Sequence, residues 1–471
     1  MIYYKIIFIT FLFLALSSCK KGFLDQKPDL TMAVPHTLAD CQAMLDDYAR
    51  MNAGYPDHGE AAADNFFFSD NVYRDLIYFS ETPEDKDNYL WNPAGEHVEQ
   101  WQNGYNVIYS ANMVLQVLEK FSSSDRDYNS IKGSALFYRA FAFYNLAQLF
   151  CKPYIAETAN ADLGIPLRMT PDPKEPVTRG TVKKLYDRIT QDLTEAVALL
   201  SKDVPVKSRP SKAAGYAALA RTYLAMEDYG NAEKMADECL KMQSILIDYN
   251  VTSNPATATT VNPNGFKRFL RFNAEVIFQA TTGFTQLSYD QAMVDSDLYD
   301  SYLSGDCRKT VFFTMSFDPY TGEPGHAFIG NYDGTDPNRE SPNLFVGFAT
   351  NELYLIRAEC RARAGQTGSA MADLNTLMAK RMKPPYVNRT ATSAEDALKQ
   401  ILEERRKELL FRGLRWTDLR RLNQDARFAK TLHRNMNNLI YTPLKPDDLR
   451  YVMLIPTREE INLTDMAQNP R

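Results

Sequence analysis

The sequence predicts a mainly α-helical fold in which a scaffold of paired helices carries long irregular segments with short β-strands. Apolar residues recur at helical spacing in several separate segments of the 471-residue chain. Two of these segments also have small residues at the spacing expected where two helices cross. By contrast, residues 54–96 and 245–345 have no helical period, and Asn-Pro, Asp-Pro and Gly punctuate the longer stretch. We therefore expect a single domain over residues 36–471.

The N-terminus has the pattern of an export signal. Lys5 precedes an apolar run from Ile6 to Leu16 that only Thr10 interrupts. This run is too short to span a bilayer, but it has the length of the apolar region of a signal peptide. Residues 1–18 are therefore predicted to be a signal peptide, which places the mature chain outside the cytoplasm.

The end of this signal peptide has a second pattern. Residues 16–19 are Leu-Ser-Ser-Cys, which resembles the lipobox of bacterial lipoproteins, where the cysteine thiol accepts a diacylglycerol group. The resemblance implies that Cys19 is lipidated and that residues 19–35 form the anchored N-terminus and its tether. The alternative is an ordinary signal peptide followed by an incidental cysteine. Several acyl chains would hold the protein at a membrane far more persistently than a single chain.

Three long amphipathic helices are predicted in the first half of the domain. The first presents one face formed by Trp101, Tyr105, Ile108, Asn112 and Leu115. The next two cover residues 131–150 and 181–200, where apolar residues again recur every three or four positions.

Two later segments have the spacing of tetratricopeptide units, in which small residues let two antiparallel helices cross closely. The first segment contains Leu219, Ala220, Tyr223, Tyr229, Ala232, Ala236 and Cys239, and the second contains Tyr354, Ala358, Ala370, Leu374 and Leu377. Together with the three earlier helices they predict a tetratricopeptide-like scaffold over about 97–242 and 349–422. The stretches at about 54–96 and 245–345 are longer than connections need, and we expect them to carry function.

Charge and cysteine content exclude some roles. The net charge is −6, and it becomes −7 when Lys5 is removed with the signal peptide. This acidic balance argues against nucleic acid or an anionic lipid surface as the main partner. The five cysteines after Cys19 are scattered and show neither a disulfide framework nor the spacing of metal ligands. Cys239 and Cys360 occupy apolar helical positions and are predicted to be buried thiols.

The C-terminal part of the chain resembles a known family. Residues 401–422, ILEERRKELLFRGLRWTDLRRL, strongly resemble the C-terminal signature of the RagB/SusD family. Further short segments resemble the family in the expected order, and they span nearly the whole chain: CKKGFLD at 19–25, ALFYRAFAFYNL at 135–146, Asp306-Cys307-Arg308, ELYLIRAE at 352–359 and the terminal QNP at 468–470. Two departures are Arg412, where the family usually has an acidic residue, and Leu454, where proline is frequent.

This resemblance implies both a fold and a function. The implied fold is a scaffold of four tetratricopeptide-like units with an irregular ligand-binding face. The implied function is that of a lipoprotein on the outer face of the outer membrane, which captures a nutrient for a SusC-like TonB-dependent transporter. In the family that nutrient is most often a glycan, and the lipoprotein acts as a lid on the transporter barrel.

The sequence has no catalytic or cofactor-binding signature, so we predict neither enzymatic activity nor a cofactor. It lacks the nucleophile, zinc, phosphate-binding and dinucleotide-binding motifs of common enzyme classes. Glu403, Glu404 and Glu408 lie among basic residues at helical spacing and are interpreted as partners in surface or interhelical ion pairs, not as a catalytic cluster. Asp64 and Asp70 could supply the two carboxylates that a glycosidase needs, but the sequence does not give the distance between them. Asp295, Asp297 and Asp300 lack the features of a calcium loop, and no metal is predicted.

A binding site for sugars needs exposed aromatic rings flanked by groups that hydrogen-bond to hydroxyls. Trp91 lies in a loop beside Asn92-Pro93 and is the tryptophan that we expect to be exposed, whereas Trp101 and Trp416 lie on helical faces and are expected in the core. Tyr320 lies within a turn-forming segment and is expected at a loop tip. The predicted ligand-binding residues are Asn71, Tyr73, Arg74, Tyr78, Asn88, Trp91, Tyr289, Tyr320, Asn331 and Tyr332.

Two alternatives to glycan capture remain open at this stage. Aromatic loops serve apolar side chains as well as sugar faces, so the same fold could capture peptides. A tetratricopeptide adaptor that scaffolds envelope proteins is the second alternative, although it would not need an insertion of about a hundred residues.

Overall fold

The computed structural model describes residues 35–79, 84–172, 174–176, 178–250, 259–261, 267–282, 292–333, 343–434, 436, 441–458 and 460–471. The predicted signal peptide, Cys19 and most of the tether lie outside these ranges. Among the residues described, no helix combines the length and the apolar character needed to cross a membrane.

Helices dominate the described part of the chain, which confirms the predicted fold class. They are α1 (Leu38–Leu45), α2 (Tyr48–Met51), α3 (His58–Ala62), α4 (Asp70–Phe79), α5 (Glu84–Tyr89), α6 (Val98–Leu118), α7 (Tyr128–Phe150), α8 (Val182–Leu199), α9 (Lys212–Ala225), α10 (Tyr229–Met242), α11 (Ser296–Asp300), α12 (Arg308–Val311), α13 (Thr350–Arg363), α14 (Thr367–Met378), α15 (Ala394–Glu408) and α16 (Arg415–Leu422). Short 3₁₀ turns follow at Leu449–Tyr451 and Ile461–Leu463.

Hydroxyl side chains fix where several helices begin. Thr37, Thr181, Ser211 and Ser393 each accept a hydrogen bond from the backbone amide three residues further along, at the start of α1, α8, α9 and α15. Such N-caps satisfy an amide that the helix itself leaves without a partner.

The scaffold consists of helices that pack against their neighbours in sequence, α6 on α7, α7 on α8, α9 on α10 and α13 on α14. Small residues permit the close crossings. A Cβ atom added to Gly104 would come within 2.7 Å of Leu146, and one added to Gly215 within 2.6 Å of Val197. Trp101 and Trp416 are buried in this scaffold as predicted, and so are the thiols of Cys239 and Cys360.

Strands are short and lie mainly between the two helical regions. They are β1 (Ala53–Tyr55), β2 (Phe66–Phe67), β3 (Leu163–Pro166), β4 (Arg179–Thr181), β5 (Thr259–Val261), β6 (Lys267–Phe269), β7 (Val276–Phe278), β8 (Thr281–Thr282), β9 (Met293–Val294), β10 (Phe313–Phe317), β11 (Pro324–Phe328) and β12 (Phe348–Ala349). The antiparallel pairing of β2 with β9 joins the two segments expected to be irregular.

The expectation that residues 54–96 are irregular is wrong in one respect, because this stretch contains α3, α4 and α5. Helices α3 and α5 have five and six residues, so each is too short to show a clear apolar period. The ten residues of α4 do form an amphipathic pattern, so this helix could have been predicted from the sequence. Tertiary contacts stabilise α3, since every one of its residues is buried.

Candidate ligand-binding face

A β-hairpin forms the most exposed apolar feature of the segment between the helical regions. Strands β10 and β11 pair in antiparallel register from Phe313 opposite Phe328 to Phe317 opposite Pro324. At the turn, Asp318 accepts hydrogen bonds from the backbone amides of Tyr320 and Thr321. Tyr320 therefore lies at a loop tip, as the turn chemistry around it predicts.

Alternation along β10 leaves one apolar row facing solvent. Phe313 is buried, but Met315 is 64% exposed and Phe317 is 55% exposed, and both point to the same side of the hairpin as Phe313. Tyr320 continues the row at the turn with 50% exposure. Neither Met315 nor Phe317 was among the predicted residues, although the alternation of Phe313, Met315 and Phe317 with Thr314 and Ser316 is a signal that could have identified them.

Polar groups from the other loop region lie beside this row. Ser69, the residue before α4, lies close enough to the Asp318 carboxylate to contribute to the lowering of its pKa, so the hairpin turn lies near the start of α4. The first five residues of α4 include Asn71 and Arg74, which hydrogen-bond to each other, and Arg74 is exposed. We call Met315, Phe317, Tyr320, Asn71 and Arg74 the hairpin face.

The other end of the hairpin packs on α11. The His326 ring stacks on Tyr299 with 3.4 Å between the ring centroids and 14° between the planes. The ammonium group of Lys309 lies 4.7 Å from the centre of the Tyr299 ring. Burial lowers the pKa of His326, so the ring stacks as a neutral imidazole at neutral pH.

A cleft of about 390 Å³ lies between α11, β2 and the segment after α16. Its lining includes Phe67, Asp295, Asp297, Lys430 and His433. Asp64 also lines the cleft, and its carboxylate forms ion pairs with Arg415 at 2.6 Å and with Lys430 at 2.7 Å. Although burial opposes the charged form, these cations together with Arg406 hold the pKa of Asp64 well below its usual range. A carboxylate so fixed is not available as a general acid, the role that one member of a glycosidase pair must play.

Three residues predicted to contact ligand are buried. Trp91 is 4% exposed and its indole Nε1 donates a hydrogen bond to the Ala62 carbonyl at 2.9 Å, so the expectation that it is exposed is wrong. Asn88 is 5% exposed and donates to the His58 carbonyl. Tyr73 is buried against Tyr89. Trp91 and Asn88 therefore bond to the backbone of α3, and Tyr73 packs against α5, so none of the three faces solvent.

Among the predicted residues between 245 and 345, Tyr320 is exposed but two others are buried. Tyr332 is fully buried and donates its hydroxyl proton to Glu275, while Asn331 is buried between the backbone of Asn343 and Phe345. Tyr289 and the side chain of Tyr78 lie outside the described residues. Of the ten predicted residues, Asn71 and Arg74 hydrogen-bond to each other at the start of α4, and Tyr320 lies in the hairpin turn whose Asp318 is near Ser69.

Buried ion pairs hold the hairpin segment to the scaffold. Arg308 at the start of α12 pairs with Glu404 at 2.6 Å and Glu408 at 3.1 Å, and all three side chains are fully buried. Glu408 also binds Arg381, which pairs in turn with Glu275. The interpretation of the acids in α15 as ion-pair partners is confirmed for Glu404 and Glu408, whereas Glu403 is exposed and pairs with no cation among the described residues.

The fold defines a class of protein, a scaffold of paired helices that presents a β-hairpin with exposed apolar side chains. Two family models match the chain, "Starch-binding associating with outer membrane" over residues 22–224 and the SusD family over residues 348–470. Together they span well over half of the sequence. The chain belongs to the RagB/SusD family.

Individual relatives support this assignment. The SusD-like protein P2 of Formosa agariphila is 24% identical over 368 residues, which cover 68% of this chain and 71% of the relative. A SusD superfamily structure from Bacteroides vulgatus superposes with a TM-score of 0.73 at 23% identity, covering 93% of this chain and 99% of that chain. A laminarin-binding SusD-like protein superposes with a TM-score of 0.62 at 19% identity, covering 92% and 98%.

Proposed function

We propose that this protein captures an oligosaccharide on the hairpin face, holds it without cleaving it, and delivers it to a SusC-like TonB-dependent transporter. The main observation in favour of this proposal is the exposed row of Met315, Phe317 and Tyr320, together with the polar pair Asn71 and Arg74 at the start of α4. Aromatic rings cover the C–H faces of sugars, while amide and guanidinium groups bind the hydroxyls at the ring edge. A family described as starch-binding supports this ligand class.

Peptide capture is the second candidate, and Met315 favours it. A thioether on a flexible side chain adapts to apolar side chains of varied shape, and it is often used at surfaces that bind several peptides. Met315 is the most exposed residue of the row. The face could therefore bind aliphatic residues, and the choice between the two ligand classes depends on direct binding measurements.

The location of the protein forms part of the proposal. We infer that Cys19 carries the lipid anchor, that the anchor is in the outer membrane, and that residues 19–35 let the domain face the cell exterior. The description of the family as associated with the outer membrane supports this location. An anchor beside the transporter would raise the effective concentration of one protein for the other. Fractionation tests it: Cys19→Ala should leave the outer-membrane fraction and no longer co-purify with a TonB-dependent barrel.

Calorimetry of the purified protein against a panel of soluble polysaccharides and oligopeptides tests the ligand class. We expect binding to at least one glycan, with chromatography showing the ligand intact after incubation. Tyr320→Ala should weaken this binding by about tenfold, since stacking of one ring on an apolar surface contributes on the order of 1 kcal/mol. Val387→Ser is a matched control, because Val387 is apolar and 80% exposed but lies outside the hairpin face.

The proposal has three distinct ways to fail. Release of shorter sugars would show an enzyme, and binding confined to peptides would establish the second candidate. Equal affinity in Tyr320→Ala, Phe317→Ala and the wild type would show that the ligand binds elsewhere.

A further inference from the structure

A small cavity, partly open to solvent, lies where α3 meets α7, α9 and the start of α16. Its volume is about 20 Å³, and on the same measure a water molecule needs roughly 10–15 Å³. One small species therefore fits this cavity. Its lining includes Glu60, Tyr144, Arg412 and Trp416.

Three side chains on this lining are hydrogen-bond donors without a partner among the described residues. They are the hydroxyl of Tyr144, the indole Nε1 of Trp416 and Nη2 of Arg412. All three residues are more than nine-tenths buried. A buried donor that makes no hydrogen bond costs about 1–3 kcal/mol, so three of them around one cavity indicate a shared acceptor.

The charge of Arg412 points to the nature of that acceptor. Its guanidinium lies 3.5 Å from the centre of the Tyr332 ring, but it forms no ion pair with a described carboxylate. Glu60 also lines the cavity, yet its two oxygens accept hydrogen bonds from Asn65 and from the Gly413 amide. Arg434, a second buried arginine without a carboxylate partner, instead donates to the carbonyls of residues 61–63 and 89. Arg412 has no such set of carbonyls.

We propose that this cavity is a binding site for one monatomic anion, with chloride as the physiological occupant. A chloride ion accepts hydrogen bonds from all three donors and neutralises the buried guanidinium, which a water molecule does not do. The site is separate from the hairpin face and does not depend on the proposed capture of glycans.

Thermal unfolding of the purified full-length protein at constant ionic strength tests the site, with sodium chloride replacing sodium gluconate stepwise. We expect a saturable rise in the unfolding temperature with chloride, because a ligand that binds only the folded state stabilises it. Arg412→Met should abolish the chloride-specific rise, and Tyr144→Phe should weaken the apparent affinity several-fold. Tyr138→Phe is the control, because Tyr138 is buried and its hydroxyl donates a hydrogen bond to the Ser208 carbonyl, and neither residue lines the cavity.

Crystals grown in sodium bromide give a readout that requires no variant to fold. An anomalous peak within hydrogen-bonding distance of Arg412, Trp416 and Tyr144 is expected. Equal unfolding temperatures in chloride and gluconate would indicate water in the cavity and overturn the proposal. Bromide peaks confined to the protein surface would overturn it as well.

Discussion

At the scale of single residues, Trp91 shows that an aromatic residue in a loop can be buried and hold neighbouring segments together. Its backbone adopts a left-handed conformation with φ of +56°, which turns the side chain inward. The indole donates to the Ala62 carbonyl, and the guanidinium of Arg434 lies 4.5 Å from its ring centre. Trp91 thus joins α3 to the segment that follows α16.

Trp91→Ala is expected to destabilise the protein by about 3–5 kcal/mol, because it removes a large buried side chain and leaves a cavity. Urea unfolding followed by circular dichroism measures the loss. Val387→Ala provides the control, since Val387 is 80% exposed and a substitution at such a surface position changes stability by about 0.5 kcal/mol or less. An unchanged unfolding midpoint for Trp91→Ala would place the indole in solvent and restore it as a candidate ligand platform.

Position in a periodic pattern explains which tryptophans the sequence could place. Trp101 and Trp416 lie on helical faces, where the 3.6-residue period distinguishes the buried side from the exposed side, and both are buried. Trp91 lies in a turn, where no period exists and burial depends on long-range contacts such as that with Arg434. The same reason explains Tyr332, whose partner Glu275 lies 57 residues away in sequence.

At the scale of elements, a buried ionic cluster fixes an irregular segment to a helical scaffold. Arg308 of α12 bonds to Asp306 and reaches Glu404 and Glu408 on consecutive turns of α15. Attraction to Arg308 and other neighbouring cations outweighs burial and lowers the pKa of Glu404 to about 2. The short elements α11, α12 and β10 have few backbone hydrogen bonds of their own, so this cluster positions the base of the hairpin.

Arg308→Met is expected to cost about 3–5 kcal/mol, because it removes the arginine paired with the buried Asp306 carboxylate and one of the cations paired with Glu404 and Glu408. Denaturant unfolding measures the total loss, and hydrogen exchange should show the largest increase across residues 296–328. Lys183→Met gives the comparison, since the Lys183–Asp187 pair is solvent-exposed and such pairs contribute about 0.5 kcal/mol or less. A uniform increase in exchange along the chain would show that the cluster does not act locally.

The sequence predicts best those helices that are long enough for their apolar pattern to repeat over several turns. Helices α6, α7 and α8 span 21, 23 and 18 residues, so several turns report the same buried face. The predicted boundaries of α8, at Thr181 and Leu200, are the two capping residues of the observed helix. The hairpin face could be predicted only in part, because the contact of Ser69 with Asp318 joins residues that are remote in sequence.

At the scale of the whole molecule, two buried titratable residues change the free energy of unfolding in opposite directions as pH changes. One is Glu60 in α3, and the other is His97, the residue before α6. His58 and His97 share a hydrogen bond of 2.6 Å between their Nδ1 atoms, and burial holds the pKa of His97 well below its usual 6.5. Below pH 6.5 the unfolded chain therefore binds a proton that the folded chain does not, and stability falls as pH falls. Burial raises the pKa of Glu60 from 4.5 to about 7. Between pH 4.5 and about 7 the folded chain holds a proton on Glu60 that the unfolded chain has lost, so the free energy of unfolding falls as pH rises.

Between pH 5 and 6.5 the two effects oppose each other, and single variants should separate them. Relative to the wild type, Glu60→Gln should make the free energy of unfolding rise more steeply with pH, by up to about 1.4 kcal/mol per pH unit for the one linked proton. His97→Asn should change the slope in the opposite direction across the same range, while His326, whose pKa is also lowered, contributes equally to all three proteins. Carboxylates with lowered pKa, such as Glu404 at about 2, change stability mainly below pH 4.5. Urea unfolding of both variants and the wild type at half-unit pH steps measures the slopes, and changes of the same sign in the two variants would contradict the assignment.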